Sequence, residues 1–134
     1  MPFKATHKFA RITPRKARLV MDLVRGRDVD DAIAMLKFSK QRVSGMIEKV
    51  IRSAVANANE QETANIRNTL YVAKAWVDPG PVIKRFQPKD RGKAYPINKR
   101  TSHLVVTVDE REEGESAPVS LKKAVGARPG KARK

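Results

Sequence analysis

The sequence predicts an α+β fold: three helices packed on a small antiparallel sheet of about three strands, with a long β-hairpin protruding from it. Three observations lead there. Apolar residues recur at three- and four-residue spacing between residues 14 and 58, the period of helices with one buried face. Residues 69–77 (TLYVAKAWV) and 104–108 (LVVTV) have the β-branched and aromatic composition of strands. Between those strands, residues 80–103 carry seven bases (Lys84, Arg85, Lys89, Arg91, Lys93, Lys99, Arg100) against one acid, Asp90, with Val82, Ile83, Phe86 and Ile97 as the large hydrocarbon side chains of the segment. Such a segment has no core of its own and repels itself unless a polyanion neutralises it.

In chain order, residues 3–10 (FKATHKFA) alternate loosely between apolar and polar, which suits a short edge strand. Thr13 followed by Pro14 starts the first helix, with Thr13 expected to cap the free amides and Gly26 to stop the helix; Ala17, Val20, Met21 and Val24 form its buried stripe. The second helix is expected from near Asp28 to near Ser39. Asp30 and Asp31 complement its N-terminal dipole, and Val29, Ile33 and Leu36 turn inward. The third helix has the most regular stripe (Val43, Met46, Ile47, Val50, Ile51, Ala54, Val55, Ala58) and is expected to be the central core element. A polar stretch, Asn59 to Asn68, leads to the two strands.

If those strands pair antiparallel, residues 79–103 continue them as a hairpin. About ten residues per arm at roughly 3.3 Å each would reach about 30 Å from the body. Gly92, between Pro88 and Pro96, marks the tip. The expected organisation is one domain over residues 1–108, hairpin included, followed by a charged tail at 109–134 that is acidic and then basic and expected to be disordered in isolation.

Composition narrows the function. The 134 residues hold 29 Lys plus Arg against 14 Asp plus Glu, a formal charge of +15, which calls for a phosphate-rich partner. At 15.0 kDa there is room for one modest core, so the basic surface is a main feature of the molecule. There is no cysteine, hence no disulfide framework or thiolate metal site, and two histidines alone make no zinc site. No cofactor or metal is expected. No apolar run approaches the roughly 20 residues of a membrane span and no secretory signal is visible, so a soluble, cytoplasmic protein with no membrane partner is expected.

Arg15, Lys16 and Arg18 open the first helix although cations there oppose the helix dipole. They suit either docking on a phosphate, where free amides and basic side chains converge, or a solvated charged face. Phe86 and Tyr95 suit either stacking on bases or a cross-strand aromatic pair. Trp76 reads as core, and His7 and His103 as phosphate or backbone contacts, because no nucleophile accompanies them. The acid pairs Asp30–Asp31 and Glu112–Glu113 fall in a helix start and a tail, and no glycine-rich phosphate loop is present, so no catalytic centre is expected.

Several segments carry a family resemblance: Thr13 to Val20 (TPRKARLV), Asp22 to Gly26 (DLVRG), Ser53 to Ala58 (SAVANA), Val77 to Pro81 (VDPGP) leading to Lys84–Arg85, and most specifically Lys99-Arg100-Thr101-Ser102-His103. On these, from about residue 5 to residue 108, the chain resembles the bacterial large-subunit ribosomal protein twenty-two family. The resemblance implies an α+β body on the large subunit, with the hairpin threading through ribosomal RNA to the wall of the nascent-peptide exit tunnel. It also implies partners: large-subunit ribosomal RNA, neighbouring ribosomal proteins and the nascent polypeptide, with a part in subunit assembly. Lys84, Arg85, Lys99, Arg100, Thr101, Ser102 and His103 would contact RNA along the stem, and Arg15, Lys16 and Arg18 from the body. Lys89, Asp90, Arg91, Gly92 and Lys93 would lie at the tunnel. The chain departs from the family pattern in placing the acid Asp90 at the tip and in extending past residue 109. The alternative from the residues alone is an architectural DNA-binding protein, with Lys40, Arg42, Lys49 and Arg52 of the third helix against phosphates and Gln41 and Asn57 left to read bases.

Overall fold

A computed structural model describes residues 2–61 and 70–110. The elements run β1 (Phe3–Ala10), α1 (Pro14–Val24), α2 (Val29–Phe38), α3 (Arg42–Gln61), β2 (Leu70–Pro88) and β3 (Ala94–Glu110). The three helices pack on one three-stranded antiparallel sheet of order β1-β3-β2, and β2 and β3 form the hairpin. This is the expected α+β architecture. Asp109 and Glu110, expected to open the tail, instead end β3, paired with Tyr71 and Leu70; the rest of the expected tail, 111–134, and most of the polar connection, 62–69, lie outside the described residues.

The helices bury the faces that the spacing marks. Ala17, Val20, Met21 and Val24 of α1 are buried, as are Val43, Ile47, Val50, Ile51, Ala54 and Ala58 of α3. Met46 and Val55 pack against the core half-buried. In α2 the inward position next to Val29 and Leu36 is Ala32, while Ile33 sits at the margin. Thr13 occupies the N-cap of α1 with extended backbone, but its side chain makes no capping bond, contrary to expectation; the Thr13 carbonyl accepts from the amides of Lys16 and Ala17. Gly26 follows the helix at φ +76°, a left-handed conformation that favours glycine.

The exposed edge of β2 is closed by α1 and the loop after it. Val72 exchanges backbone bonds with Gly26 and Arg27: Gly26 N–H donates to Val72 O at 2.8 Å, and Val72 N–H to Arg27 O at 2.9 Å. Further along, the Arg25 guanidinium donates to Ala75 O at 2.6 and 3.1 Å, and the Arg18 guanidinium to Val77 O at 3.1 and 3.4 Å. Carbonyls that would otherwise be open to pairing with another chain are thus occupied from within.

Three irregularities in register shape the sheet: within β1 between His7 and Ala10, and within β2 between Val72 and Lys74 and between Pro79 and Val82. The last lies where the hairpin leaves the body. β1 ends at Ala10 opposite Ser102, so from there outward the described sheet has two strands.

Candidate nucleic-acid interface

From Val82 to Arg100 no residue is buried, and only Ile83 and Ile97 are even half-buried. The stem pairs Val82 with Arg100, Ile83 with Lys99, Lys84 with Asn98, Arg85 with Ile97, Phe86 with Pro96, Gln87 with Tyr95 and Pro88 with Ala94. Facing residues of an antiparallel pair share a face and successive pairs alternate. Phe86 and Tyr95, on successive pairs, therefore point to opposite faces of the ribbon. They do not form a cross-strand pair, and both rings are exposed.

The tip is a tight reversal. Lys89 N–H donates to Lys93 O at 2.7 Å around a short 3-10 turn, Asp90–Gly92, in which Arg91 and Gly92 are both left-handed (φ +57° and +69°). Lys89, Asp90, Arg91, Gly92 and Lys93 are all exposed.

At the base, Gly80 and Pro81 bulge opposite Thr101. Thr101 is buried and its hydroxyl donates to Pro81 O at 2.6 Å. Ser102 is fully buried, and its hydroxyl has no hydrogen-bond partner among the described residues. The half-buried His103 ring accepts the Phe9 N–H on Nδ1 at 3.0 Å and meets the Phe9 ring edge-on, centroids 4.9 Å apart. Phe9 is left-handed at φ +59°. Thr101 is thus engaged within the junction through its hydroxyl, and His103 through Nδ1.

Arg15 and Lys16 are exposed on α1. Arg18 is engaged with Val77 O as described, so part of its guanidinium is committed to the body. The structure brings Lys16, Arg85, Lys99, Arg100 and Thr101 together around one groove of about 850 Å³ between the hairpin stem and the starts of α1 and α3. Arg11 and Arg42 complete its cationic rim. Arg15, Lys84 and His103 lie outside it. Arg42 carries a signal in the sequence, a cation in a helix first turn that holds no acid, as with Arg15 and Lys16. Arg11 carries none, since it reaches the groove only because β1 ends beside the stem.

Trp76 is half-buried rather than core. It lies on the helix-free face of the sheet, donates its indole N–H to Asp78 Oδ2 at 3.0 Å and has Lys4 Nζ 5.5 Å from its ring centroid. Asn57 donates its amide to Lys4 O at 3.2 Å, and the apolar face of α3 is in the core, so α3 is poorly placed to read a DNA groove. Among the described residues no group of His, Asp and Glu is arranged to hold a metal ion, and no helix is long and apolar enough to cross a membrane.

The family model for ribosomal protein L22p/L17e matches residues 5–109. The chain belongs to this family. It is therefore a structural component of the large ribosomal subunit, cytoplasmic in bacteria, and not an enzyme. It is 55% identical over 108 residues to the large ribosomal subunit protein uL22 of Lacticaseibacillus casei (strain BL23), covering 81% of this chain and 92% of that one. The uL22 protein of Carboxydothermus hydrogenoformans is 48% identical over 114 residues, which is 85% of this chain and all of that one. The family match ends at residue 109, so it takes in the hairpin and stops one residue before β3 does.

Proposed function

We propose that the protein is an RNA-bound strut of the large subunit. Its body and hairpin stem grip ribosomal RNA, and its tip lines the nascent-peptide exit tunnel. The observation that supports this most directly is the stem itself, a ribbon from Val82 to Arg100 that buries no residue and carries basic side chains without an acid except at the tip. A two-stranded ribbon of this kind is marginal alone in water. Surrounding phosphates supply the missing stabilisation, and release of their counterions gives tight, salt-sensitive binding.

In this reading Arg15, Lys16, Lys84, Arg85, Lys99 and Arg100 meet phosphates, and Arg18 does so with the part of its guanidinium not bound to Val77. Thr101, Ser102 and His103 complete this RNA-contacting set at the root of the stem. Lys89, Asp90, Arg91, Gly92 and Lys93 face the nascent polypeptide, and neighbouring ribosomal proteins meet the remaining body surface. Residues 1–108 act as the ribosomal unit and residues 109–134 as an appended charged tail. Ordering of the hairpin on RNA would couple binding to subunit assembly.

The test is co-sedimentation of a tagged copy with large subunits on sucrose gradients, before and after a high-salt wash. Salt-resistant association is expected. Recovery in free or DNA-bound fractions would overturn the reading in favour of the architectural alternative.

A further inference from the structure

The groove at the root of the hairpin combines a basic rim with an apolar lining. Among the described residues its rim holds six cations, Arg11, Lys16, Arg42, Arg85, Lys99 and Arg100, and no acid lines it. Its floor is aliphatic: Ile12, Leu19, Val43, Ile83 and Ile97. Leu19 is 64% exposed although it lies on a helix whose opposite face is fully in the core. The stem register turns Ile83, Lys99, Arg85 and Ile97 to one face, so the ribbon presents its two isoleucines and two of its cations to α1. The carboxamides of Gln41 and Asn98 also line the groove, and the Thr13 side chain beside them makes no capping bond.

Paired RNA offers a continuous phosphate surface with its bases hidden, and has nothing to place on an aliphatic floor. An unpaired nucleotide offers a phosphate, an apolar base face and a polar base edge together. We infer that this groove is a subsite for one unpaired nucleotide of the bound RNA, its phosphates on the cationic rim and its base against Leu19, Ile83 and Ile97. The inference deepens the proposed RNA binding and rests on it. The volume lies within the roughly 300–1,000 Å³ of sites that enclose small ligands, and the mixture of aliphatic lining with a few polar groups is typical of them. An acidic peptide would match the rim but would bring no flat apolar face to the floor.

The test compares two RNAs on the full chain at physiological salt by fluorescence anisotropy: a duplex with one unpaired adenosine, and the same duplex fully paired. Preference for the bulged RNA by roughly tenfold is expected from the usual strength of base contacts. Leu19→Ala should bring the ratio towards one, and Leu23→Ala, one turn along the same helix and outside the groove, should leave it. With 4-thiouridine at the bulged position, the crosslink should fall on peptides containing Leu19 or Ile97. Equal binding of both RNAs, a ratio unchanged by Leu19→Ala, or a crosslink confined to Lys89–Lys93 would overturn the subsite while leaving general RNA binding intact. Failure of both RNAs to bind would instead remove the proposed function on which the subsite rests. Binding of a Glu-rich peptide in preference to either RNA would assign the groove to a protein partner.

Discussion

Gly80 and Thr101 face each other so closely that a Cβ on Gly80 would stand 2.5 Å from the Thr101 hydroxyl oxygen, and 3.2 Å from Nε2 of His103. That hydroxyl is the donor to Pro81 O, so a side chain at Gly80 displaces the bond that fixes the bulge. Gly80→Ala is expected to cost about 1–3 kcal/mol, the cost of strain plus a lost buried hydrogen bond. Thermal unfolding of Gly80→Ala, Thr101→Ala and the double variant checks it. The double variant should be less destabilised than the sum of the singles, because Thr101→Ala removes the atom that the new methyl meets.

Arg25 makes two kinds of contact that should differ in weight. Its bonds to Ala75 O close the edge of β2, whereas its pair with Asp22 at 3.1 Å is about half exposed on both sides. Arg25→Met is expected to lower stability by about 1–2 kcal/mol, and Asp22→Ala by less than about 0.5 kcal/mol. Arg18→Met should resemble Arg25→Met, at about 1 kcal/mol because the bond to Val77 O is longer. Denaturant melts of the free protein decide this, and an unchanged Arg18→Met midpoint would mean that Arg18 serves binding alone.

Ser44, in the first turn of α3, is 2% exposed and its hydroxyl has no partner among the described residues. Ala at this position removes an unsatisfied buried donor and suits a helix better. Ser44→Ala should therefore stabilise the protein by about 1 kcal/mol, read as a raised midpoint in a denaturant melt.

Stem and tip should separate in function. Lys99→Glu with Arg100→Glu is expected to reduce incorporation into large subunits and to flatten the salt dependence of RNA binding, each lost phosphate contact lowering the slope by about one. Removal of Lys89 to Lys93 should leave incorporation largely intact, since the stem pairs from Val82 to Pro88 remain. Subunit profiles of cells dependent on each variant check this, and equal loss in both would show that stem and tip act together.

The helices and strands were legible in the sequence because each buries one face, and burial writes itself as periodicity: the α3 stripe from Val43 to Ala58 marks what the core receives, and so does the alternation at Phe3 and Ala5, until the irregularity after His7 turns Phe9 out and Ala10 in. The hairpin was legible for the opposite reason. Seven bases with so little apolar company cannot be core, and the strands on either side require a reversal between them.

What the sequence by itself determined was therefore most of which residues are inside, which stand out, and that those outside carry a charge suited to a polyanion. What only the tertiary structure decided were relationships across the chain. Arg18 and Arg25 look like any surface arginine until α1 is laid along the edge of β2, where unpaired carbonyls accept from them. Arg11, Arg42 and Leu19 gather into one groove only because β1 stops at Ala10, where the stem departs, and the vacated side of β3 is met by the starts of α1 and α3. Periodicity records the burial of a side chain against an average interior, but a groove or an edge cap depends on which particular neighbours arrive. That is settled by register, bulges and packing among residues up to roughly the length of the domain apart.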